Sequence, residues 1–358
     1  MHEQFLQAAL DQAWLGRGLC APNPSVGAVA VLSGKIIAQS WHSGAGTPHA
    51  EILLLADLPA HCPDVTIYVT LEPCNHWGRT PPCVDALIRH GVKKVVYAFS
   101  DPNPLVRGND TPALLRQHGI GVVHHPLPEI DRFYQSYQHW TLTHTPWVTA
   151  KLAQTFDGKI AGPLGARTPI SNAQCAVFTH EHRRYTDIIL TTAATINQDD
   201  PQLNVRLEGY LAAKPVAIID GQLKLNPRAR VLSQAKHCHI YFDDANPNNP
   251  HHANATFYRM PTLAQARLDL SAVIHHLGHL GYHDVWVEAG SALFSALHEA
   301  RLVNRTYVYL VPNILGARAT PAYRDFNIYN APAALTWQAL GDNMVARFDW
   351  QEDLCLPV

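Results

Sequence analysis

Four residues, His49, Glu51, Cys74 and Cys83, constrain the possible fold of this chain more than any other feature of its sequence. His49 and Glu51 stand at the start of a predicted helix, Cys74 follows a predicted strand, and Cys83 lies shortly after Cys74. A zinc ion that activates water needs three protein ligands and one open position, and one imidazole with two thiolates meets that need. The sequence therefore predicts a fold that brings this helix start and this strand end together around zinc.

The chemistry that this set predicts is hydrolytic deamination. Zinc lowers the pKa of its bound water toward about 7, so hydroxide forms at neutral pH. Glu51 would carry the proton to the departing amine, as a carboxylate that is not a metal ligand does in zinc nucleobase deaminases. A non-enzymatic zinc-structured protein is the alternative, but a structural site normally closes with a fourth Cys or His and would leave Glu51 without a role.

Composition limits the remaining possibilities. A chain of 358 residues is long for one hydrophobic core, which predicts two domains. A net charge of −2 without long runs of one sign argues against binding to nucleic acid or to an anionic membrane. The first eighteen residues have helical periodicity with acidic residues and no cleavage site, so no secretory signal is expected. Seven cysteines at irregular spacing fit a reducing compartment, and we expect a cytoplasmic protein.

The periodicity of the sequence predicts two α/β domains, residues 1–145 and 146–358, with a linker over residues 124–145. In the first domain, alternating strands and helices favour an α/β sandwich with a mostly parallel sheet. The predicted strands of the first domain are Val26–Leu32, paired as a hairpin with Lys35–Trp41, and then Thr66–Leu71 and Lys93–Phe99; its helices are His49–Leu58 and Cys83–His90. The second domain has predicted strands at Trp147–Leu152, Asp187–Leu190, Val216–Asp220, His239–Phe242, Val285–Glu288, Tyr307–Val311 and Val345–Trp350, an exposed loop at Asp243–Ala255 and a helix at Ser291–Arg301.

The zinc set lies within a longer series of motifs in the first domain. These are Pro22-Asn23-Pro24-x-Val26-Gly27, Gly46-x-x-His49-Ala50-Glu51, the stretch Tyr68–Cys83, and Asp101-Pro102-Asn103-Pro104. Eight residues separate the two cysteines, where the generic deaminase pattern has two. Over residues 20–105 the series closely resembles the deaminase half of the bifunctional riboflavin-biosynthesis deaminase/reductase family. That resemblance implies a cytidine-deaminase-like α/β/α sandwich that removes the 2-amino group of diaminohydroxyphosphoribosylaminopyrimidine.

The same resemblance implies substrate contacts in the deaminase half. Asn23, His42, Arg79 and Thr80 would contact the pyrimidine or the ribose phosphate. Arg79 offers a planar donor fork that suits phosphate, with an ordinary surface arginine as the alternative. His76 lies in the same loop, where a substrate or packing role is favoured over a fourth zinc ligand.

The second half has weaker signals of its own. It contains no Gly-x-Gly-x-x-Gly, so a standard dinucleotide-binding fold is not supported. A strand, a glycine turn and a helix start at Val285–Ser291 indicate a phosphate-binding element. Together with Lys151-Leu152-Ala153, Asp157-Gly158, Thr195–Arg206 and Leu315-Gly316, it resembles the reductase half of the same family. The resemblance implies a dihydrofolate-reductase-like α/β domain that uses NADPH to convert a ribosyl group to ribityl.

Residue roles in the reductase half also follow from the resemblance alone. NADPH would be held by Ala153, Thr195, Asp199 and the turn and helix of residues 290–296, which include Gly290, Ser291 and Ala292. The substrate would be held by Arg183, Leu203, Arg206 and Glu288, with the arginines at its phosphate.

Three segments depart from the family pattern. Gly165-Ala166-Arg167 and Pro169 replace Gly-Glu-Ser and a following Trp, Asn304-Arg305 replaces an acidic pair, and Gln154-Thr155-Phe156 replaces a small-Ser-Leu segment; all are expected near the reductase pocket. Two hypotheses follow: a bifunctional deaminase and reductase with zinc and NADPH, or an active deaminase with a catalytically silent C-terminal domain for ligand binding or dimerisation. We expect a phosphorylated pyrimidine substrate, no nucleic-acid or membrane partner, and a homodimer or higher homo-oligomer.

Overall fold

The computed structural model describes residues 2–77, 81–163, 170–263, 267–323 and 334–350. The chain divides into two compact units, residues 1–144 and 145–358. Arg79 and Thr80, and the departure at residues 165–169, lie outside the described residues. Within the described ranges, no helix combines the length and the apolar character that a membrane crossing requires.

The first unit alternates helices and strands along its length. In chain order its elements are α1 (His2–Gly16), β1 (Gly27–Leu32), β2 (Lys35–Trp41), α2 (Ala50–Ala56), β3 (Thr66–Leu71), α3 (Cys83–His90), β4 (Lys94–Phe99), α4 (Pro104–Arg107), α5 (Thr111–Gln117), β5 (Gly121–His124) and α6 (Pro128–Thr143). Every strand and helix that the sequence predicted here is present with closely similar bounds.

The sheet of the first unit has the order β2-β1-β3-β4-β5. β2, β3, β4 and β5 run in one direction and β1 runs antiparallel to its neighbours β2 and β3, so the predicted mostly parallel sheet is present with one reversed strand. The predicted hairpin of β1 and β2 is confirmed, and its turn residues Ser33 and Gly34 both have positive φ, which suits a two-residue hairpin turn. This arrangement brings the start of β1, the end of β2 and the end of β3 to one edge.

The sequence predicted a linker over residues 124–145. This prediction is wrong, because most of the segment forms helix α6. Pro128 lies in the first turn of the helix, where the missing N–H has no intrahelical partner to lose. Ile130, Phe133, Tyr134 and Tyr137 recur at helical spacing and are buried in the core of the first unit. The two prolines at the start of this segment therefore lead into the helix, and its polar residues lie on the helix surface.

The second unit contains more strands than its sequence predicted. Its elements are β6 (Trp147–Thr155), β7 (Lys159–Pro163), α7 (Ala173–Tyr185), β8 (Ile188–Thr192), α8 (Ala193–Asp199), β9 (Val205–Leu207), β10 (Tyr210–Ala212), β11 (Pro215–Ile219), α9 (Val231–Gln234), β12 (His237–Asp243), β13 (Ala255–Met260), β14 (Thr262–Leu263), β15 (Arg267–Leu268), α10 (Leu270–His279), β16 (Asp284–Glu288), α11 (Ser291–Glu299), β17 (Arg305–Val311), β18 (Ala319–Pro321), β19 (Ala334–Leu340) and β20 (Asn343–Asp349).

The main sheet of the second unit has the order β13-β12-β11-β8-β16-β6-β17-β20-β19. In the order of the sheet, the strands from β13 to β17 are parallel, whereas β20 is antiparallel to both β17 and β19. Neighbouring residues alternate between its two faces: Ile188 and Leu190 belong to the core that includes α10 and α11, and Ile189 belongs to the core that includes α7 and α9. Burial on both faces explains why these strands are continuous apolar runs.

Candidate active sites

The three predicted zinc ligands meet at the edge where β3 ends. His49 is the N-cap residue of α2, Cys83 is the first residue of α3, and Cys74 lies in the loop after β3. The Nδ1 atom of His49 lies 3.1 Å from the Sγ atom of Cys83 and 3.5 Å from that of Cys74, and the two Sγ atoms are 3.3 Å apart. Among the described residues, this is the only cluster of three or more potential metal ligands with donor atoms within 4.8 Å of one another.

One of the two thiols, that of Cys74, is already arranged to hold negative charge. Hydrogen bonds from the Cys83 thiol and the His49 imidazole lower the pKa of Cys74 to about 4, and the backbone N–H of Cys83 also donates to the Cys74 sulfur. The pKa of Cys83 is well above its usual value because its thiol donates to Cys74 and is buried. One imidazole and two thiolates, with no fourth ligand among the described residues, match the donor set of a catalytic zinc site.

Glu51 lies in the first turn of α2 and its side chain is buried, with 4% of its surface exposed. Burial raises the pKa of Glu51 to about 7. Because His49 and Glu51 flank the start of one helix, the ligand and the carboxyl group reach the same space without joining the donor cluster. A carboxyl group with a pKa near neutrality is suited to both accepting and donating a proton.

Two of the predicted substrate residues of the deaminase half contact each other beside this site. The Nε2 atom of His42 accepts a hydrogen bond from the Asn23 amide at 3.2 Å, and its Nδ1–H donates to the carbonyl oxygen of Pro48. Burial lowers the pKa of His42, which favours the neutral ring that these bonds require. The ring centroids of His42 and His49 are 5.4 Å apart in an edge-on arrangement, so His42 lies next to a residue of the donor cluster.

Sequence reasoning missed two tyrosines of α6 that support this region. The hydroxyl of Tyr134 donates to the carbonyl oxygen of Ser25 and contacts the hydroxyl of Thr70 at 2.6 Å. The hydroxyl of Tyr137 donates to the Asp101 carboxylate at 3.0 Å. These bonds fix the loops that carry Asn23 and the Asp101 motif, but they join positions far apart in the chain and have no local sequence signal.

A cavity of about 860 Å³ lies in the second unit at the carboxyl ends of its parallel strands. The strands β6, β8, β11 and β16, or the turns that follow them, each contribute to its wall. The cavity brings together all of the predicted NADPH residues and three of the predicted substrate residues, namely Ala153, Thr195, Asp199, Gly290, Ser291, Ala292, Arg183, Leu203 and Glu288. Carboxyl ends of parallel strands are where α/β proteins commonly bind ligands.

Arg183 and Glu288 form a buried ion pair in this wall. The Nε and Nη2 atoms of Arg183 donate to the two oxygens of Glu288 at 2.6 and 2.8 Å, and its Nη1 atom donates to the carbonyl oxygen of Asn204. Burial alone would raise the pKa of Glu288, but the charge and hydrogen bonds of Arg183 hold it at about 2. The Glu288 carboxylate is therefore ionised and fixed in direction, and most of the Arg183 donors are already used.

Lys151 is a cavity residue to which the sequence analysis gave no role. Its Nζ atom lies 4.8 Å from the centre of the Tyr309 ring, and it is paired in register with Glu288 across β6 and β16. Burial lowers the pKa of Lys151, and the nearby Glu288 carboxylate opposes that effect. The sequence motif that contains Lys151 does not indicate its neighbour, and only the strand order places Lys151 beside Glu288.

The start of α11 offers unpaired backbone N–H groups to the cavity. Gly290 is the N-cap residue, and no side chain caps the helix. A Cβ atom added at Gly290 would meet no heavy atom within 4 Å, so open space remains at the helix start. Helix N-termini bind phosphate through such N–H groups. The open space and the free donors fit the bridging phosphates of a dinucleotide such as NADPH.

Arg206 differs from the other predicted substrate residues because it is not among the described residues that line the cavity. It is exposed on β9, where its Nη1 atom donates to Gln202 and Asn204. The expectation that Asn304-Arg305 lies near the pocket is wrong. Asn304 bonds the backbone of Val148 at the start of β6, and Arg305 begins β17, at the opposite end of the strands.

Comparison with known families defines the class of protein. Residues 1–99 match the cytidine and deoxycytidylate deaminase zinc-binding region, and residues 146–343 match the RibD C-terminal domain. The chain therefore joins a zinc-binding deaminase domain to a RibD-type reductase domain, and the predicted combination of a cytidine-deaminase-like and a dihydrofolate-reductase-like domain is confirmed.

Individual relatives cover nearly the whole chain. The riboflavin biosynthesis protein RibD of Escherichia coli (strain K12) is 34% identical over 330 residues, which cover 88% of this chain and 89% of that protein. The structure of Acinetobacter baumannii RibD is 28% identical with a TM-score of 0.84, covering 98% and 99% of the two chains. A diaminohydroxyphosphoribosylaminopyrimidine deaminase/5-amino-6-(5-phosphoribosylamino)uracil reductase from Thermotoga maritima is 26% identical, also with a TM-score of 0.84 and the same coverage. This chain belongs to the RibD family.

Proposed function

We propose that unit 1 of this bifunctional enzyme of riboflavin biosynthesis carries out the deamination and that unit 2 carries out the reduction. The substrate of the first step is the diaminohydroxyphosphoribosylaminopyrimidine, and that of the second is the deaminated 5-amino-6-(5-phosphoribosylamino)uracil. The observation that carries this proposal is the presence of two separate sites, a three-donor cluster beside a buried carboxyl group in unit 1 and a large strand-end cavity in unit 2.

In the deamination, His49, Cys74 and Cys83 would hold zinc, whose charge makes water acidic enough to react at neutral pH. Water adds to the ring carbon that carries the 2-amino group, and the bond between that carbon and the amine breaks. Glu51 takes a proton from the attacking water and delivers it to the departing ammonia. Asn23 and His42 would orient the pyrimidine, because their hydrogen bond places both beside the cluster. Arg79 and Thr80 remain predictions for the same substrate.

In the reduction, the cavity residues would hold NADPH, which would supply the hydride that reduces C1′ of the ribosyl group as the bond between C1′ and the ring oxygen breaks. The ring oxygen then needs a proton, and we assign this proton to the Nζ atom of Lys151. The fixed Glu288 carboxylate would accept hydrogen bonds from substrate hydroxyls, with Arg183 holding it in place. Arg206 forms no salt bridge with any described residue, which leaves it available for the substrate phosphate.

The cofactor would lie along the other part of the cavity wall. Its bridging phosphates would accept hydrogen bonds from the backbone N–H groups at Gly290, Ser291 and Ala292. The rest of the cofactor would contact Ala153, Thr195 and Asp199. A homo-oligomeric state and a cytoplasmic location remain predictions from the sequence.

Mass spectrometry of the products tests the division of activities. Starting from the pyrimidine substrate, we expect a deaminated product without NADPH and a deaminated, reduced product with NADPH. Removal of zinc by a chelator should stop deamination, while the reduction of supplied deaminated substrate continues because the unit 2 cavity needs no metal. Loss of both activities on chelation would contradict the proposed division.

A further inference from the structure

Among the described residues, three that are positively charged line the cavity of unit 2, and two of them have partners in its wall. Arg183 is paired with Glu288, and Lys151 lies over the ring of Tyr309. The third, Lys224, is exposed, and its ammonium group forms no hydrogen bond or salt bridge with any residue in the described part of the chain. Of the described lining cations, Lys224 is therefore the one available for a ligand.

The backbone of Lys224 is held firmly although its side chain is exposed. Its N–H donates to the Asp220 carboxylate at 2.8 Å, and its carbonyl oxygen accepts from the Asn197 amide at 2.8 Å. The other oxygen of Asp220 accepts from the N–H of Leu225, so backbone donors use both carboxylate oxygens. Asn197 also accepts from the N–H of Asn226, which ties this turn to α8. The backbone of Lys224 is thus held in place by the Asp220 carboxylate, while its side chain remains exposed.

The position of Lys224 in the sheet indicates which part of a dinucleotide it meets. The reacting groups of the proposed reduction, Lys151 and Glu288, lie on the adjacent strands β6 and β16. The start of α11 follows β16, whereas Lys224 follows β11, two strands away across β8. With strands about 4.8 Å apart, that separation is on the order of 10 Å. A cofactor with its hydride-carrying end beside Lys151 and its bridging phosphates at α11 therefore has its adenosine end toward Lys224.

We propose that Lys224 binds the 2′-phosphate of the adenosine ribose and so selects NADPH over NADH. This inference rests on the proposed function, because it assumes that the cavity binds a nicotinamide dinucleotide. The two cofactors differ only in that phosphate, so the discriminating residue must be a donor at the adenosine end. A lysine ammonium group interacts with phosphate as a compact charge. Among the described lining residues, Lys224 is the cation that meets both conditions.

Binding measurements on the full chain test this inference without requiring turnover. Titration calorimetry with NADP⁺, NAD⁺, adenosine 2′,5′-bisphosphate and AMP would be run on the wild type, Lys224→Met and Lys224→Arg. Loss of a charge-assisted bond to phosphate should weaken the binding of both 2′-phosphorylated ligands by about 10- to 100-fold. Binding of NAD⁺ and AMP should change less than about twofold, and Lys224→Arg should retain most of the preference.

Lys236→Met is the matched control, because Lys236 is an exposed lysine just before β12, at the opposite end of the strands from the cavity. It should bind all four ligands like the wild type. The inference is overturned if Lys224→Met keeps its preference for NADP⁺, or if it weakens NAD⁺ as much as NADP⁺. A wild-type chain that binds neither dinucleotide would instead overturn the proposed function of the cavity.

Discussion

The Arg183–Glu288 ion pair allows a quantitative prediction for unit 2. Both side chains are nearly inaccessible, with 10% and 15% of their surfaces exposed. Replacement of Glu288 by Gln leaves the guanidinium group of Arg183 and the ammonium group of Lys151 in the wall without a carboxylate. Removal of one partner of a buried ion pair typically costs about 3–5 kcal/mol. The pKa of Glu288 gives a similar value, since a fall from 4.5 to about 2 corresponds to about 3 kcal/mol.

The same pair predicts how the stability of unit 2 depends on pH. The pKa of Glu288 is lower in the folded state, so its contribution is fully present above pH 4.5 and is lost as the pH falls toward 2. At pH 3, about 2 kcal/mol of it should be gone, because the carboxyl group of the unfolded chain is already protonated. The Glu288→Gln variant has no such group, so its stability deficit should shrink from about 3 kcal/mol at pH 7 to about 1 kcal/mol at pH 3.

Urea unfolding followed by hydrogen exchange at the amides of β6 and β16 measures the stability of unit 2 separately from that of unit 1. Glu299→Gln provides the control, because Glu299 is exposed at the end of α11 and the same chemical change there should stay within about 0.5 kcal/mol. Deamination should not change in either variant. A Glu288→Gln deficit below about 1 kcal/mol at pH 7, or a deficit that does not depend on pH, would refute the assignment of a stabilising buried pair.

Three further predictions concern unit 1. Glu51→Gln should keep its zinc but deaminate at least about 10²-fold more slowly, because glutamine cannot transfer the proton; activity within a few-fold of wild type, with zinc measured in the same sample, would exclude the role of Glu51. Cys74→Ser and Cys83→Ser should each lose the zinc that elemental analysis finds at about one ion per wild-type chain; a variant that retains it would show that the sulfur is not a ligand. Tyr137→Phe should destabilise unit 1 by about 1–3 kcal/mol in urea unfolding, because the buried Asp101 carboxylate loses a hydrogen-bond donor. An unchanged urea midpoint would show that this hydrogen bond does not stabilise unit 1.

Most of the secondary structure could be predicted because burial repeats at short range along the sequence. The strands β3, β8 and β16 are short apolar runs between turn residues, and the periodicity of such runs is a local signal. The errors arose where the signal was not local. The prolines and polar residues of helix α6 predict a linker, whereas the apolar residues that recur at helical spacing in the same segment form its buried face. Strand β13 was missed because it is a half-exposed edge strand after a polar loop.

The distinction between local and non-local signals also explains why more of the zinc site than of the unit 2 cavity could be predicted from the sequence. The zinc ligands lie at the starts of α2 and α3 and at the end of β3, and each type of residue is rare enough at such a boundary to be noticed. The cavity of unit 2 depends instead on strand order. Arg183 and Glu288 are 105 positions apart, and Lys151 lies beside Glu288 only because β6 inserts next to β16 in the sheet. The sequence around a charged residue in a strand does not indicate which residue lies beside it on the neighbouring strand. The contacts of Glu288 could therefore be identified only from the strand order.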